Sequence, residues 1–216
     1  YKNESTAVLA LSKGGVLVGV EIAKALHSSI AMLLTKDVYL PDGRTIVGVI
    51  NEIGGYVYNN YFSVWEMEEF ESEYRNYLEQ AKMQALHEIH VALGKGGILS
   101  PQYFRNHTII VVVDASFNGM AFDMAYDYLK KIHYKKIVMV APIASIKAID
   151  KMHIIADEII CLSVTNDIFD ADHYFAINKM PDQDEITDIL NNTALKWQNP
   201  SQLTNRSARV IRRHFY

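Results

Sequence analysis

The run Thr108-Ile109-Ile110-Val111-Val112-Val113 stops abruptly at Asp114. A strand with one wet face alternates apolar and polar residues. This one is apolar on both faces, so it belongs at the centre of a parallel sheet that is covered by helices on both sides. That requirement organises the rest of the chain. Residues 7–11, Ala-Val-Leu-Ala-Leu, read as a second buried strand, and Val16 to Leu26 carries apolar residues at helical spacing. Ala31 to Leu34 is the next strand. After Asp114 the pattern runs loop, helix (Met120 to Ile132), strand (Ile137 to Ala141), helix (Ser145 to His153), strand (Glu158 to Leu162) and a last helix (Asp184 to Trp197). Strands alternating with helices predict an α/β fold with a mainly parallel sheet flanked by helices.

The alternation is interrupted between about residues 37 and 97. Pro41-Asp42-Gly43 marks a turn. Thr45 to Ile50 and Gly55 to Tyr58 read as short strands, and Val64 to Leu93 contains neither Gly nor Pro, which predicts one long helix ended by Gly94-Lys95-Gly96-Gly97. This segment is expected to project from the sheet as a hood. The whole chain, 1–216, reads as a single domain with that insertion. A tail from about 198 to 216 carries Arg206, Arg209, Arg212 and Arg213.

Composition sets limits on partners. The 216 residues carry a formal net charge of −4, so the global balance points to neither nucleic acid nor an acidic membrane. Cys161 is the one cysteine; an internal disulfide is excluded and a cytoplasmic location is expected. No apolar run is long enough to span a bilayer. The sequence opens on Tyr1 rather than Met, which leaves room for a preceding segment.

Ligands of open α/β sheets gather at the carboxyl ends of the strands, and two loops there have useful composition. Ser12-Lys13-Gly14-Gly15 links a strand to a helix. Its glycines let backbone N–H groups approach an anion, the helix start adds partial positive charge, and Lys13 adds a full one. An ordinary tight turn would use the same residues. The second loop is Asp114-Ala115-Ser116-Phe117-Asn118-Gly119. Its carboxylate could hold a sugar hydroxyl or a metal-bound ligand, and the helix start after it a phosphate. Asp, Ser and Asn also serve as plain helix caps.

Together these loops resemble the type I phosphoribosyltransferases, in particular a bacterial group of predicted phosphoribosyltransferases. Residues 9–19, Leu-Ala-Leu-Ser-Lys-Gly-Gly-Val-Leu-Val-Gly, match a pattern like L-x-R-G-G-V-P-V-G. Lys36 stands where that group has a basic residue closing its second strand. Residues 109–119 match its hydrophobic strand and ribose-phosphate loop. Residues 138–142 resemble its V-x-A-x-P strand, 156–162 its A-D-E-V-V-C-L segment, and 182–190 its acidic D-x-E-V-x-x-L helix start. The likeness runs from about Ala7 to about Leu190 and rests on order and spacing.

The resemblance implies a phosphoribosyl pyrophosphate site. Ser12, Lys13, Gly14 and Gly15 would hold the pyrophosphate, Asp114 the ribose hydroxyls or a metal-bound water. Asn118 and Gly119 would hold the 5-phosphate, Ser116 belongs to the same substrate-binding set, and Lys36 would add charge at the mouth. Magnesium would arrive with the ligand's pyrophosphate, no residue set being expected to bind a metal unaided. A homodimer is expected, the ligand being a small sugar phosphate or nucleotide rather than a nucleic acid or a membrane.

The loop departs from the family pattern D-D-G-I-A-T-G-A-T. Ala115 replaces the second acidic residue, and Asn118 replaces a phosphate-binding threonine if one residue is deleted. Each lost charge-assisted hydrogen bond costs about 1.5–3 kcal/mol. A non-catalytic relative, kept for ligand sensing or subunit interaction, is therefore the competing expectation. Other signals are weaker. His87 and His90 are three apart, whereas the zinc-helix motif needs four. Cys161 is expected as a small buried hydrophobe. Ser116 lacks a G-x-S-x-G elbow. Tyr56, Tyr58, Tyr61, Phe62 and Trp65 are expected to pack at the base of the hood or at a dimer contact, with base stacking as the sharper alternative.

Overall fold

The computed structural model describes residues 1, 4–93, 99–166, 168, 174, 175 and 180–192. Its larger sheet joins β1 (Thr6–Ala10), β2 (Ser29–Met32), β6 (Thr108–Val112), β7 (Ala115–Ser116), β8 (Lys136–Ser145) and β9 (Glu158–Thr165). The order is β2-β1-β6-β8, with β7 and β9 both pairing β8, and every pairing is parallel. The run that predicted a doubly covered central strand is β6, and all five of its residues are buried.

Alternate residues of the sheet supply two cores. On one face Val8, Ala10, Ile110, Val112, Val138 and Val140 pack with Val16 and Val20 of α1 (Lys13–Leu26) and Ile186 and Leu190 of α6 (Gln183–Asn192). On the other, Leu9, Ile109, Val111 and Met139 pack with Phe122 and Leu129 of α4 (Met120–Leu129) and Ala148 and Met152 of α5 (Ile146–Ile155). The period of two in the strands thus meets helical stripes on both sides.

A second, antiparallel sheet joins β3 (Thr35–Tyr39), β4 (Ile46–Asn51) and β5 (Tyr56–Tyr58) in that order. Strands β4 and β5 match the sequence reading; β3, directly after the β2 segment, was not foreseen. The small sheet rests on α4 through Val49, Met120 and Met124. Its other side is covered by Leu78, Ala85 and Ile89.

The expected single helix over Val64 to Leu93 is instead two, α2 (Val64–Glu73) and α3 (Arg75–Leu93). The break falls at Tyr74, with φ −111° and ψ 20°. No residue there forbids a helix. The packing differs across the break: α2 buries no residue fully, whereas α3 presents Leu78, Ala85 and Ile89 to the small sheet. Ser63 and Glu66 form a reciprocal capping box at the start of α2. The expected Gly94–Gly97 stop, the end of the last helix beyond residue 192 and the arginine tail lie outside the described residues. No described helix is long and apolar enough to cross a membrane.

The junction of the two sheets buries a carboxylate. Glu52 is 1% exposed. It accepts the N–H of Leu99 at 2.6 Å and that of Leu34 at 3.2 Å. Burial pushes its carboxyl above the ordinary range, against the two N–H donors and the neighbouring His90.

Candidate functional site at the switch point

The chain leaves β1 through α1 toward β2 on one side, and leaves β6 through α4 toward β8 on the other. The carboxyl ends of β1 and β6 therefore flank the point where strand order reverses, the usual ligand crevice of an open α/β sheet. The Ser12–Gly15 and Asp114–Gly119 loops both start there.

Ser12 caps α1. Its Oγ accepts the N–H of Gly15 at 2.9 Å, and its hydroxyl donates to Asp114 Oδ1 at 2.6 Å. One side chain thus ties the two loops across 102 residues of sequence. The other carboxylate oxygen of Asp114 lies over Gly14, where any Cβ would fall on the carboxyl group. A glycine is required at 14 because the second loop packs directly on its Cα. The first-turn amides of Lys13 and Gly14 have no acceptor within the helix, whereas Gly15 and Val16 donate to the side chain and carbonyl of Ser12. Lys13 is exposed at the helix start.

The second loop is anchored at several points. Ala115 and Ser116 pair with Ile143 and Ala144 of β8, and Ser116 is buried. Phe117 exposes its ring, while its carbonyl accepts the hydroxyl of Ser145 at 2.6 Å. Asn118 Oδ1 accepts the N–H of Met120 at 3.0 Å, so this side-chain oxygen is spent on capping α4. Gly119 has φ +72° and precedes the first turn of α4. Its carbonyl accepts from both Phe122 and Asp123.

Lys36 is not brought to these loops by any contact. It is the second residue of β3, in the small sheet, and its ammonium pairs with Glu88 of α3. The expected place for it, closing the second strand, is corrected: β2 ends at Met32, and Lys36 belongs to the next strand. Cys161 is half-buried rather than buried, in β9, and its thiol contacts the Ser163 carbonyl at 3.1 Å. Burial raises its pKa. Among the described residues no group of three or more His, Cys, Asp or Glu could hold a metal ion. His90 instead lies 3.0 Å from the Glu52 carbonyl through Nε2.

Sequence reasoning missed the support beneath the Gly119 turn. Lys151 of α5 is buried and pairs with Asp123 of α4 at 2.9 Å. The Tyr61 ring sits 4.8 Å from the Lys151 ammonium. One signal was available: Ala148, Lys151 and Met152 share a helix face, which places a lysine on an otherwise apolar stripe.

These features define an α/β protein with a switch-point crevice whose two rims are hydrogen-bonded together. No protein-family model and no curated protein matches the chain. Among solved structures it is similar to TT1426 from Thermus thermophilus, at 21% identity and a TM-score of 0.67, over 88% of this chain and 89% of that one. That likeness shows a shared fold. A purine phosphoribosyltransferase from Pyrococcus horikoshii is similar at 11% identity and a TM-score of 0.41, over 77% of this chain and 74% of that one. A Neisseria gonorrhoeae protein with bound ppGpp is similar at 11% identity and a TM-score of 0.45, over 88% of this chain and 82% of that one. At those scores neither of the last two carries an argument.

Proposed function

We propose that the Ser12–Gly15 and Asp114–Gly119 loops bind phosphoribosyl pyrophosphate or a related sugar phosphate, and that the protein transfers the phosphoribosyl group to an acceptor. The single observation that carries this reading is the Ser12–Asp114 hydrogen bond. It sets a carboxylate for sugar hydroxyls beside the start of α1, whose Lys13 and Gly14 amides suit an anion. The order of motifs in the sequence supports the same ligand.

In this reading Lys13 and the amides of Lys13 and Gly14 receive the pyrophosphate, and Asp114 orients the ribose hydroxyls. The Gly119 turn receives the 5-phosphate through donors other than the Met120, Phe122 and Asp123 amides, which are bonded within the turn. Asn118 Oδ1 accepts the Met120 N–H and shapes the turn, which leaves its Nδ2 as the group that can donate to the phosphate. Lys36, ion-paired in the small sheet, is left out of the site. Asp114 is one carboxylate beside a phosphate cradle, which is the protein share that magnesium commonly takes when it travels with ligand phosphates. Magnesium would neutralise the leaving pyrophosphate there. Ala115 withholds the second carboxylate, so affinity for the donor is expected about ten- to a hundred-fold below that of a site with both.

Calorimetry with phosphoribosyl pyrophosphate and magnesium tests the reading. Micromolar binding by the wild type, lost in Asp114→Ala, is the expected result, together with pyrophosphate release once an acceptor is supplied. Absence of heat at millimolar ligand would overturn it.

A further inference from the structure

The two hood helices and β5 enclose a cavity of about 540 Å³. That is within the roughly 300–1,000 Å³ of small-molecule sites. Tyr58 of β5, Glu71 of α2 and Arg75, Glu79 and Lys82 of α3 line it, with Leu78 as its most buried wall. Tyr56 packs with Leu78, whereas Val57 packs with Met120 and Met124 of α4. Side chains alternate along a strand, so Tyr58 shares the face of Tyr56. The cavity therefore lies on the side of the small sheet turned away from α4, and it shares no residue with the two loops of the switch-point crevice.

Two of its four charges compensate each other. The Lys82 ammonium lies 3.3 Å from Glu79 and 4.5 Å from the centroid of the Tyr56 ring. The other two do not. Glu71 Oε1 accepts the Tyr58 hydroxyl, a neutral partner. That hydrogen bond, with burial and the charges of Glu71 and Glu79, pushes the Tyr58 phenol up to about 12, so it stays protonated at neutral pH. Arg75 pairs with no carboxylate among the described residues. Glu71 and Arg75 are four residues apart, the spacing at which such a pair attracts along a continuous helix. The backbone leaves helical geometry at Tyr74, between them, and no ion pair forms. The break thus leaves a carboxylate and a guanidinium on the wall of one cavity, neither of them neutralised by the other.

We infer that this cavity is a binding site for a free α-amino acid, whose carboxylate Arg75 receives and whose ammonium Glu71 receives. A simple anion would meet Glu71 and Glu79, and a simple cation would meet Arg75 and Lys82, so like charges oppose either one. A zwitterion satisfies both walls. The planar fork of arginine takes a carboxylate through two parallel hydrogen bonds. An ammonium brings three donors; Glu71 keeps Oε2 for one, and the Tyr58 oxygen, which donates its own proton to Glu71, can accept another. Leu78 and the Tyr58 ring offer the side chain an apolar surface, which favours an apolar or aromatic amino acid. The inference stands apart from the sugar-phosphate reading.

Calorimetry on the full chain with L-phenylalanine, 3-phenylpropionate and phenethylamine tests it. The second compound lacks the ammonium and the third the carboxylate. L-Phenylalanine should bind at millimolar concentration or below, and each analogue about ten-fold more weakly, since each forfeits a charge-assisted contact. Arg75→Met should weaken L-phenylalanine about ten-fold, and Arg75→Lys less, because lysine keeps the charge and loses the fork. Glu71→Gln should lose a similar factor while still accepting the Tyr58 hydroxyl. Arg75 is exposed and α2 buries no residue fully, so each variant should unfold near the wild-type temperature. No heat with millimolar L-phenylalanine, equal binding of either singly charged analogue, or undiminished binding by Arg75→Met overturns the inference and leaves the sugar-phosphate reading untouched.

Discussion

The hydroxyl of Ser12 donates to Asp114 Oδ1 at 2.6 Å while its oxygen accepts the N–H of Gly15 at 2.9 Å. One side chain therefore caps a helix and holds the carboxylate of a loop 102 residues away. Ser12→Ala should lose the cap, at about 1 kcal/mol, and free Asp114 to turn. Thermal unfolding should show a modest drop. Binding of phosphoribosyl pyrophosphate should fall by much more than that drop predicts. Equal losses in the two measurements would count against a site at this pair.

Gly14 gives a sharper test, because the Asp114 carboxyl occupies the place of its missing Cβ. Gly14→Ala should cost about 1–3 kcal/mol as an overpacked contact and push Asp114 out of the crevice. Spectroscopy should report an intact fold and calorimetry no ligand binding. Unchanged stability would mean that the two loops sit farther apart than described.

Gly119 is constrained twice, by φ +72° and by the Lys151 stem beneath it. Gly119→Ala should cost about 1–2 kcal/mol for the left-handed backbone alone, and more where Lys151 must move. Gly119→Asn should recover part of the conformational cost, since Asn tolerates this region better. Denaturant unfolding of both variants checks the order.

Glu52 predicts a pH dependence. Burial raises its folded carboxyl above the ordinary value of 4.5. The folded state therefore holds the proton more tightly than the unfolded chain does. The associated stability is complete below about 4.5 and is lost as pH rises through the folded value. Glu52→Gln removes this titration and also replaces one of two acceptors for Leu99 and Leu34. The stability of wild type minus variant should decline with rising pH across that window. A flat difference would show that the carboxyl does not titrate on folding.

Much of this molecule was legible before any coordinates. Residues 108–113 read as a central strand, because the run is short, β-branched and apolar on both faces. The glycines after Ser12 and the carboxylate after Val113 marked the two loops at the strand ends, because those residue types suit anions and sugar hydroxyls. Local chemistry was enough for each of these, since strand period, helix start and turn residues are encoded within a few positions.

What the tertiary structure decided was every relationship between distant residues. The break at Tyr74 separates a helix that only partly buries Met67 and Phe70 from one that fully buries Leu78, Ala85 and Ile89, and nothing in residues 64–93 announces it. The resemblance put Lys36 at the end of the second strand, and the structure places it in β3 against Glu88 of α3. Asn118 shows no orientation in the sequence, and only the fold puts its oxygen on the Met120 amide and leaves its Nδ2 to donate. Lys151 and Asp123 lie 28 residues apart on separate helices, and only the packing of α5 under α4 buries them as a pair beneath Gly119. Strand and helix patterns are local and periodic. Ion pairs and shared hydrogen bonds depend on how the periodic pieces are stacked, and that is settled by burial of the two sheet faces rather than by the residues that make the pair.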